Sequence, residues 1–67
     1  MEEIGLVLRK RREELGLRQV EVAKESGINP SRMSMIENTW IMPRFDEVDR
    51  IKAAMERLAA GIEKDSQ

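Results

Sequence analysis

The tightest constraint on this chain is a turn signal near its middle, where a glycine is followed closely by an asparagine–proline pair. Gly27 can adopt the left-handed backbone conformation that ends a helix in a tight turn. Asn29 can cap a new helix, and Pro30 suits the first helical position because it has no N–H to leave unbonded. The sequence therefore predicts one helix that ends at Ser26 and another that runs from Pro30 to about Asn38.

Apolar residues on both sides of this turn recur at the spacing of amphipathic helices. The first helix of the pair is predicted to begin near Arg18, and its Ala23 has to be small if the second helix crosses close above it. The predicted inward residues of the pair are Val22, Ala23, Ile28, Met33 and Ile36. The outward face of the second helix then consists of Ser31, Arg32, Ser34 and Met35.

Two further helices are predicted to flank this pair. One runs from about Glu3 to Leu15, and Gly16 marks its end. Its inward face is Ile4, Val7, Leu8 and Leu15. The other begins at Phe45 or Asp46, and its apolar stripe is Phe45, Val48, Ile51, Met55, Leu58 and Ile62. The predicted fold is all-α and compact, with four helices and room for a fifth, in one domain over residues 1–62 followed by a frayed tail, 63–67.

Composition argues against several classes of function. The 67 residues include no cysteine and no histidine, which excludes disulfides, zinc sites built from these residues and histidine acid–base catalysis. The sequence has no glycine-rich phosphate loop, and its serines have no evident base. We therefore expect no enzyme, no metal or other cofactor, and no small-molecule ligand.

Charge is distributed unevenly along the chain. The formal net charge is −1, yet the longest basic run, Arg9-Lys10-Arg11-Arg12, lies near the N-terminus, and from Phe45 onward acids outnumber bases by six to four. No apolar run reaches membrane-spanning length, and the N-terminus lacks the basic and apolar regions of a signal peptide. We expect a cytoplasmic protein without a membrane contact.

Two short helices joined by a glycine-containing turn are the pattern of a helix-turn-helix, here over residues 19–38. The sequence from about Ile4 to Met55 resembles the Cro/lambda-repressor-type helix-turn-helix domains of phage and bacterial regulators. The resemblance rests on Gly5, Leu8-Arg9, Arg12-Glu13, Leu15-Gly16-Leu17, Gln19, Val22-Ala23, Gly27-Ile28, Ser34, Ile36-Glu37-Asn38 and Pro43. It implies a transcriptional regulator that binds double-stranded DNA. Regulators of this kind occur in phages and mobile elements, and the small anti-CRISPR-associated repressors are among them.

The resemblance also implies roles for the matching positions. Gln19 resembles a glutamine that holds a phosphate and braces the recognition helix, and Arg12 and Glu37 resemble a pair in which the glutamate fixes the arginine near the phosphates. The residues predicted to read bases are Asn29, Ser31, Arg32, Ser34 and Met35. The residues predicted to contact phosphates are Gln19, Arg12, Arg18, Asn38 and Arg44.

Some of these positions have simpler interpretations or depart from the family pattern. Arg32 could be an ordinary surface arginine, although arginine is the commonest reader of guanine. Ser31 and Ser34 could be merely small residues at the surface. Arg18 replaces the usual serine or threonine cap of the second helix, and Thr39 replaces the common glycine after the third, which leaves the path of that loop open.

A dimer on an inverted repeat is expected, because one recognition helix covers too few base pairs to find a single site in a genome. The predicted dimer interface is Trp40, Ile41 and Met42 in the loop, with Leu58 and Ile62 on the last helix. Trp40 could instead fold back over its own helices. The preferred function is a dimeric, autoregulatory repressor, and the alternative is an antitoxin-type interaction module that carries the same DNA-binding domain.

Overall fold

A computed structural model describes the backbone of residues 3–65 and the side chains of residues 3–61. Its four helices are α1 (Ile4–Glu14), α2 (Gln19–Ser26), α3 (Pro30–Glu37) and α4 (Phe45–Asp65). Over residues 3–65 there is neither a strand nor a fifth helix, which confirms the all-α, four-helix prediction. Within the same residues, no helix combines the length and apolarity needed to cross a membrane.

The predicted signals at the helix ends operate as expected. Gly16 and Gly27 follow α1 and α2 with φ of 71° and 72°, a conformation that costs glycine little. At the start of α3, Asn29 Oδ1 accepts the backbone N–H of Ser31 at 2.8 Å, and Pro30 occupies the first helical position. Because both ends of the α2–α3 turn are fixed in this way, the angle between the two helices is fixed locally.

The core lies where α4 packs against α2, with α3 packed on α2 and with α1 closing one side against α3 and α4. Its buried apolar residues are Leu8, Leu17, Val22, Ala23, Ile28, Met33, Ile36, Ile51, Ala54 and Met55. All five inward residues predicted for the α2–α3 pair are among them, so that prediction is confirmed. Ile4, Leu15, Ile41 and Leu58 are partly buried against this core.

The inward orientation predicted for two residues is wrong. Val7 is 42% exposed and Phe45 is 93% exposed. The face of α1 that meets α3 is narrow, because Gly5 and Leu8 are the buried residues of that helix. Phe45 is the first residue of α4, and the helix is buried only from Glu47 onward, so Phe45 lies before the point of contact.

The predicted tail, 63–67, lies at or beyond the limit of the described residues. The backbone is helical as far as Asp65, while the side chain of Ile62 and everything after it lie outside the described side chains. The prediction of fraying and the assignment of Ile62 to an interface therefore stay predictions.

Gly5 allows the closest approach between two helices. A Cβ atom at this position would collide with the carbonyl oxygen of Ile36 near the end of α3. That carbonyl belongs to backbone, which cannot rotate away as a side chain can. The absence of a side chain at Gly5 therefore sets how near α1 lies to the end of α3.

We predict that Gly5→Ala destabilises the domain by about 1–3 kcal/mol, because the added methyl group overpacks a backbone contact. Gly61→Ala is the matched control, since a Cβ at Gly61 in α4 meets no other atom within 4 Å and replacing a helical glycine stabilises by about 0.5–1 kcal/mol. Urea unfolding followed by circular dichroism measures both. Equal effects of the two substitutions would contradict the close approach.

Candidate nucleic-acid interface

The outward face of α3 is exposed, polar and free of acids. Asn29, Pro30, Ser31 and Asn38 are exposed on it, and Arg32, Ser34 and Met35 are half-buried at its sides. The one acid of α3, Glu37, points into the protein and has 2% of its side chain exposed. A polyanion could therefore approach this face without meeting a carboxylate of α3.

The polar groups of this face keep part of their hydrogen-bonding capacity. The side-chain oxygen of Asn29 caps α3, which leaves its amide NH₂ free to donate outward. Asn38 Nδ2 donates to Ser34 Oγ at 3.3 Å. Donors and acceptors thus lie along one helix face, as recognition of base edges in a major groove requires.

The far end of α3 is held by a buried carboxylate with three donors. Arg12 of α1 donates from Nε to Glu37 Oε2 at 2.9 Å and from Nη2 to Glu37 Oε1 at 3.0 Å. Gln19 Nε2, in the first turn of α2, donates to the same Oε1 at 3.1 Å. The sequence predicted the pairing of Arg12 with Glu37 and the bracing by Gln19, and these contacts are present.

The contacts of Arg12 leave it little to offer a phosphate. A third nitrogen, Nη1, donates to the carbonyl oxygen of Leu17 at 2.7 Å, and 13% of the side chain is exposed. The guanidinium therefore ties α1 to the α1–α2 turn and to α3 at once. A phosphate contact by Arg12 stays a prediction.

Two arginines at the starts of α2 and α4 are more open. Arg44 precedes α4 and is exposed, and Arg18 precedes α2 and is exposed. Glu21 accepts the backbone N–H of Arg18 at 3.0 Å and its Nε at 3.3 Å, and these bonds hold the pKa of Glu21 below its usual range. Glu21 thus satisfies the backbone N–H of the N-cap residue of α2, a position where the sequence has no serine or threonine.

A second arginine–glutamate fork joins α3 to α4. Arg32 donates from Nε to Glu47 Oε2 at 2.6 Å and from Nη2 to Glu47 Oε1 at 2.8 Å. Glu47 also accepts the backbone N–H of Arg44 at 2.8 Å, which caps α4. The hydrogen bonds from Arg32, with that from the Arg44 backbone, lower the pKa of Glu47 to about 2, against the opposing effect of its burial.

The segment from the end of α3 to the start of α4 leaves three large apolar side chains in solvent. Thr39 follows α3 with φ of 62°, the left-handed conformation that glycine supplies more cheaply. Beyond it Trp40 and Met42 are each 75% exposed. With the exposed Phe45 they form what we call the loop surface (Trp40, Met42 and Phe45).

The sequence that forms this arrangement matches a known protein family. The model of a helix-turn-helix domain family matches residues 3–61. The chain belongs to this helix-turn-helix family. It is accordingly a DNA-binding regulator in which α2 and α3 form the helix-turn-helix. Comparisons with curated proteins and with solved structures gave no significant match.

Sequence reasoning missed two groups that support the helix-turn-helix from α4. Glu47 is one, and its place three residues after Arg44, where an acid can cap a helix, was the available signal. Arg50 is the other: it donates from Nε to the carbonyl oxygen of Ser26 and from Nη2 to that of Gly27, both at 3.0 Å. Because these carbonyls end α2, Arg50 caps that helix from outside it.

We predict strong coupling between Arg12 and Glu37 in a double-mutant cycle on stability. Removing one partner of a buried pair costs about 3–5 kcal/mol because the other charge stays buried and unpaired. Arg12→Met and Glu37→Met together should therefore cost clearly less than the sum of the two. Urea titration in an osmolyte that keeps the single variants folded gives the values.

The surface pair Arg9 and Glu13, with its N–O distance of 3.6 Å, is the matched control for this cycle. An exposed pair at this spacing couples by about 0.5 kcal/mol or less. Additive losses at Arg12 and Glu37, like those expected at the control pair, would show that the buried fork does not hold α3.

We also predict that Glu47 makes stability depend on acid pH. Its pKa is about 2 in the folded protein against 4.5 for an ordinary glutamate, so its stabilisation is complete above about pH 4.5 and is lost as the pH falls toward 2. The melting temperature of Glu47→Gln should lie furthest below that of the wild type near neutral pH. A deficit that stays the same down to about pH 2 would contradict the low pKa.

Proposed function

We propose that this protein is a dimeric transcriptional repressor that inserts α3 into the major groove of an inverted-repeat operator. The observation that carries the proposal is the contrast between the two sides of α3. The inner side is held by the Glu37 fork, and the outer side is exposed, polar and free of acids. A rigid helix with an unoccupied polar face is what recognition of base edges needs.

The contacts to DNA divide into two groups under this proposal. Asn29, Ser31, Ser34 and Met35 lie on or beside the outward face of α3 and read base edges, Met35 through the methyl group of a thymine. Around them the phosphate contacts are Arg18, Arg44, Gln19 and Asn38, with Arg12 acting chiefly through Glu37. Phosphate contacts fix the position of the helix, and base contacts carry the sequence preference.

The loop surface supports the dimer. Trp40, Met42 and Phe45 leave apolar area in water that burial would stabilise by about 25 cal/mol per Å². The surface begins two residues after the Asn38 cap of α3, so a contact between two copies there sets the distance between the two recognition helices. Ile41 and Leu58, also assigned to the interface from the sequence, are partly buried against the core of their own chain and have less surface to contribute.

Repression follows from occupancy. A dimer that covers a promoter excludes polymerase without needing a ligand, and autoregulation requires only that the operator lie upstream of the protein's own gene. This is the mode of action of a Cro-like regulator of phage or mobile-element type, which the sequence resemblance favours.

The central prediction is that the free protein sediments as a dimer and protects an inverted repeat in its own upstream DNA. The half-site centres should lie about one helical turn, ~34–36 Å, apart. The binding constant should fall as salt rises from about 50 to 200 mM, because arginine contacts release counterions from DNA.

The loop surface is tested by sedimentation without DNA. Trp40→Ala should give monomers with the helical circular dichroism intact, whereas Val20→Ala, at an exposed apolar residue of α2, should leave the dimer unchanged. A monomer that protects one unrepeated half-site, or an affinity that is flat with salt, would overturn the proposal.

A further inference from the structure

Glu47 is a buried acid of α4 that is not part of the helix-turn-helix motif. It lies outside the α2–α3 unit, in the first turn of α4, and has 7% of its side chain exposed. Its two oxygens accept from Nε and Nη2 of Arg32, a residue in the first turn of α3. One residue of α4 therefore fixes the orientation of a long side chain beside the outward face of the recognition helix.

The two arginine–glutamate forks differ in what they leave free. Arg12 donates from three nitrogens and is nearly buried, whereas 33% of the Arg32 side chain is exposed. Within the described residues, nothing accepts a hydrogen bond from Nη1 of Arg32. The fork with Glu47 uses the Nε–Nη2 edge of the guanidinium, so the adjacent edge, formed by Nη1 and the outer hydrogen of Nη2, remains available.

The free edge of Arg32 has the geometry of a guanine reader. Two parallel N–H donors on a planar group match O6 and N7 of guanine in the major groove. Arg32 lies about a quarter of a turn from the centre of the outward face, at 3.6 residues per turn, on the side toward α4. A long side chain at that position can reach the groove in some rotamers and not in others. The fork with Glu47 holds Arg32 in one rotamer.

We propose that Glu47 is a positioning residue for sequence recognition: it holds Arg32 so that the Nη1–Nη2 edge reads one guanine in each half-site. This rests on the proposed function, in that α3 has to occupy a major groove. The fork immobilises the guanidinium before DNA arrives, so less rotamer freedom is lost on binding. It also cancels the charge of Arg32 locally, so the arginine contributes more to base preference than to attraction for phosphates.

The cancellation of charge gives the test a signature that a purely structural role lacks. In Glu47→Gln the carboxylate charge and one of its two acceptor oxygens are gone, so the guanidinium is no longer held in a fork. Preference for the guanine should fall, while affinity for unrelated DNA and its dependence on salt should rise, since Arg32 becomes an unpaired cation. A variant that is only less stable would lose both kinds of binding together.

The experiment begins with selection of binding sites from a random double-stranded DNA pool by the wild-type protein. Dissociation constants are then measured for the selected site, for copies in which each G·C pair is replaced by A·T, and for unrelated DNA. For the wild type, one replacement in each half-site should weaken binding by roughly 5- to 150-fold, the range for a bidentate arginine–guanine pair. For Arg32→Ala, the dissociation constants for the selected site and for the site with that replacement should be nearly equal.

Two further variants separate fork geometry from charge and from stability. Arg32→Lys keeps the positive charge without the planar fork and should also lose the preference for that guanine. Asp46→Asn removes a charge from the neighbouring residue of α4, which pairs with Arg50 at 3.5 Å and acts on Arg32 through its charge alone, without a hydrogen bond, and should keep the preference. Circular dichroism at the assay temperature confirms that each variant is folded.

The outcomes distinguish this inference from the proposed function. A wild-type pool that shows no enrichment overturns the proposed function and this inference with it. A wild type that selects a site, with Arg32→Ala and Glu47→Gln weakening all sequences equally, overturns the inference alone. Loss of preference at the same guanine in Arg32→Ala, Arg32→Lys and Glu47→Gln, but not in Asp46→Asn, supports it.

Discussion

The structure depends on a carboxylate taken out of water. Glu37 is nearly fully buried, and its burial is tolerable because a bidentate guanidinium and an amide satisfy both oxygens. Arg12 belongs to α1 and Gln19 to the start of α2. Glu37 therefore fixes the position of α3 relative to both of these helices. Buried pairs of this kind add little net stability compared with apolar packing. What this one supplies is a single position for the helix that faces solvent.

An arginine–glutamate fork lies at each end of α3, and the two forks differ in what they hold in place. At the C-terminal end, all three nitrogens of the Arg12 guanidinium donate to Glu37 and Leu17, and Gly5 lets α1 lie directly against the backbone of α3. At the N-terminal end, the Arg32 guanidinium is only half consumed by Glu47. The first fork fixes backbone, and the second fixes a side chain whose other edge is free. Rigidity of the helix is a precondition for the second arrangement, because a fixed side chain on a mobile helix selects no base.

The sequence predicted those features that depend on neighbours along the chain. The turn at Gly27, the Asn29–Pro30 cap and the inward residues of the α2–α3 pair follow from local backbone preference and helical spacing. The pair of Arg12 with Glu37 was predicted from a resemblance to a family, since spacing alone does not bring residues 12 and 37 together. Glu47 was missed because its pairing with Arg32 depends on where the start of α4 lies relative to α3, which no local sequence pattern indicates. Phe45 was misplaced because periodicity assigns a residue to a helix face without showing where along the helix contact begins.

The formal charge of −1 gives a poor measure of how DNA would meet this surface, because position decides which charges act. Glu37 and Glu47 each cancel an arginine inside the protein, so Arg12 and Arg32 add little to the field outside. Arg18 and Arg44 remain as exposed arginines at the starts of α2 and α4, and Glu21 weakens the charge of the first of these. On the proposed function, affinity then comes from a small number of salt-dependent phosphate contacts, from the fit of α3 to particular base edges and from duplication of that fit in a dimer.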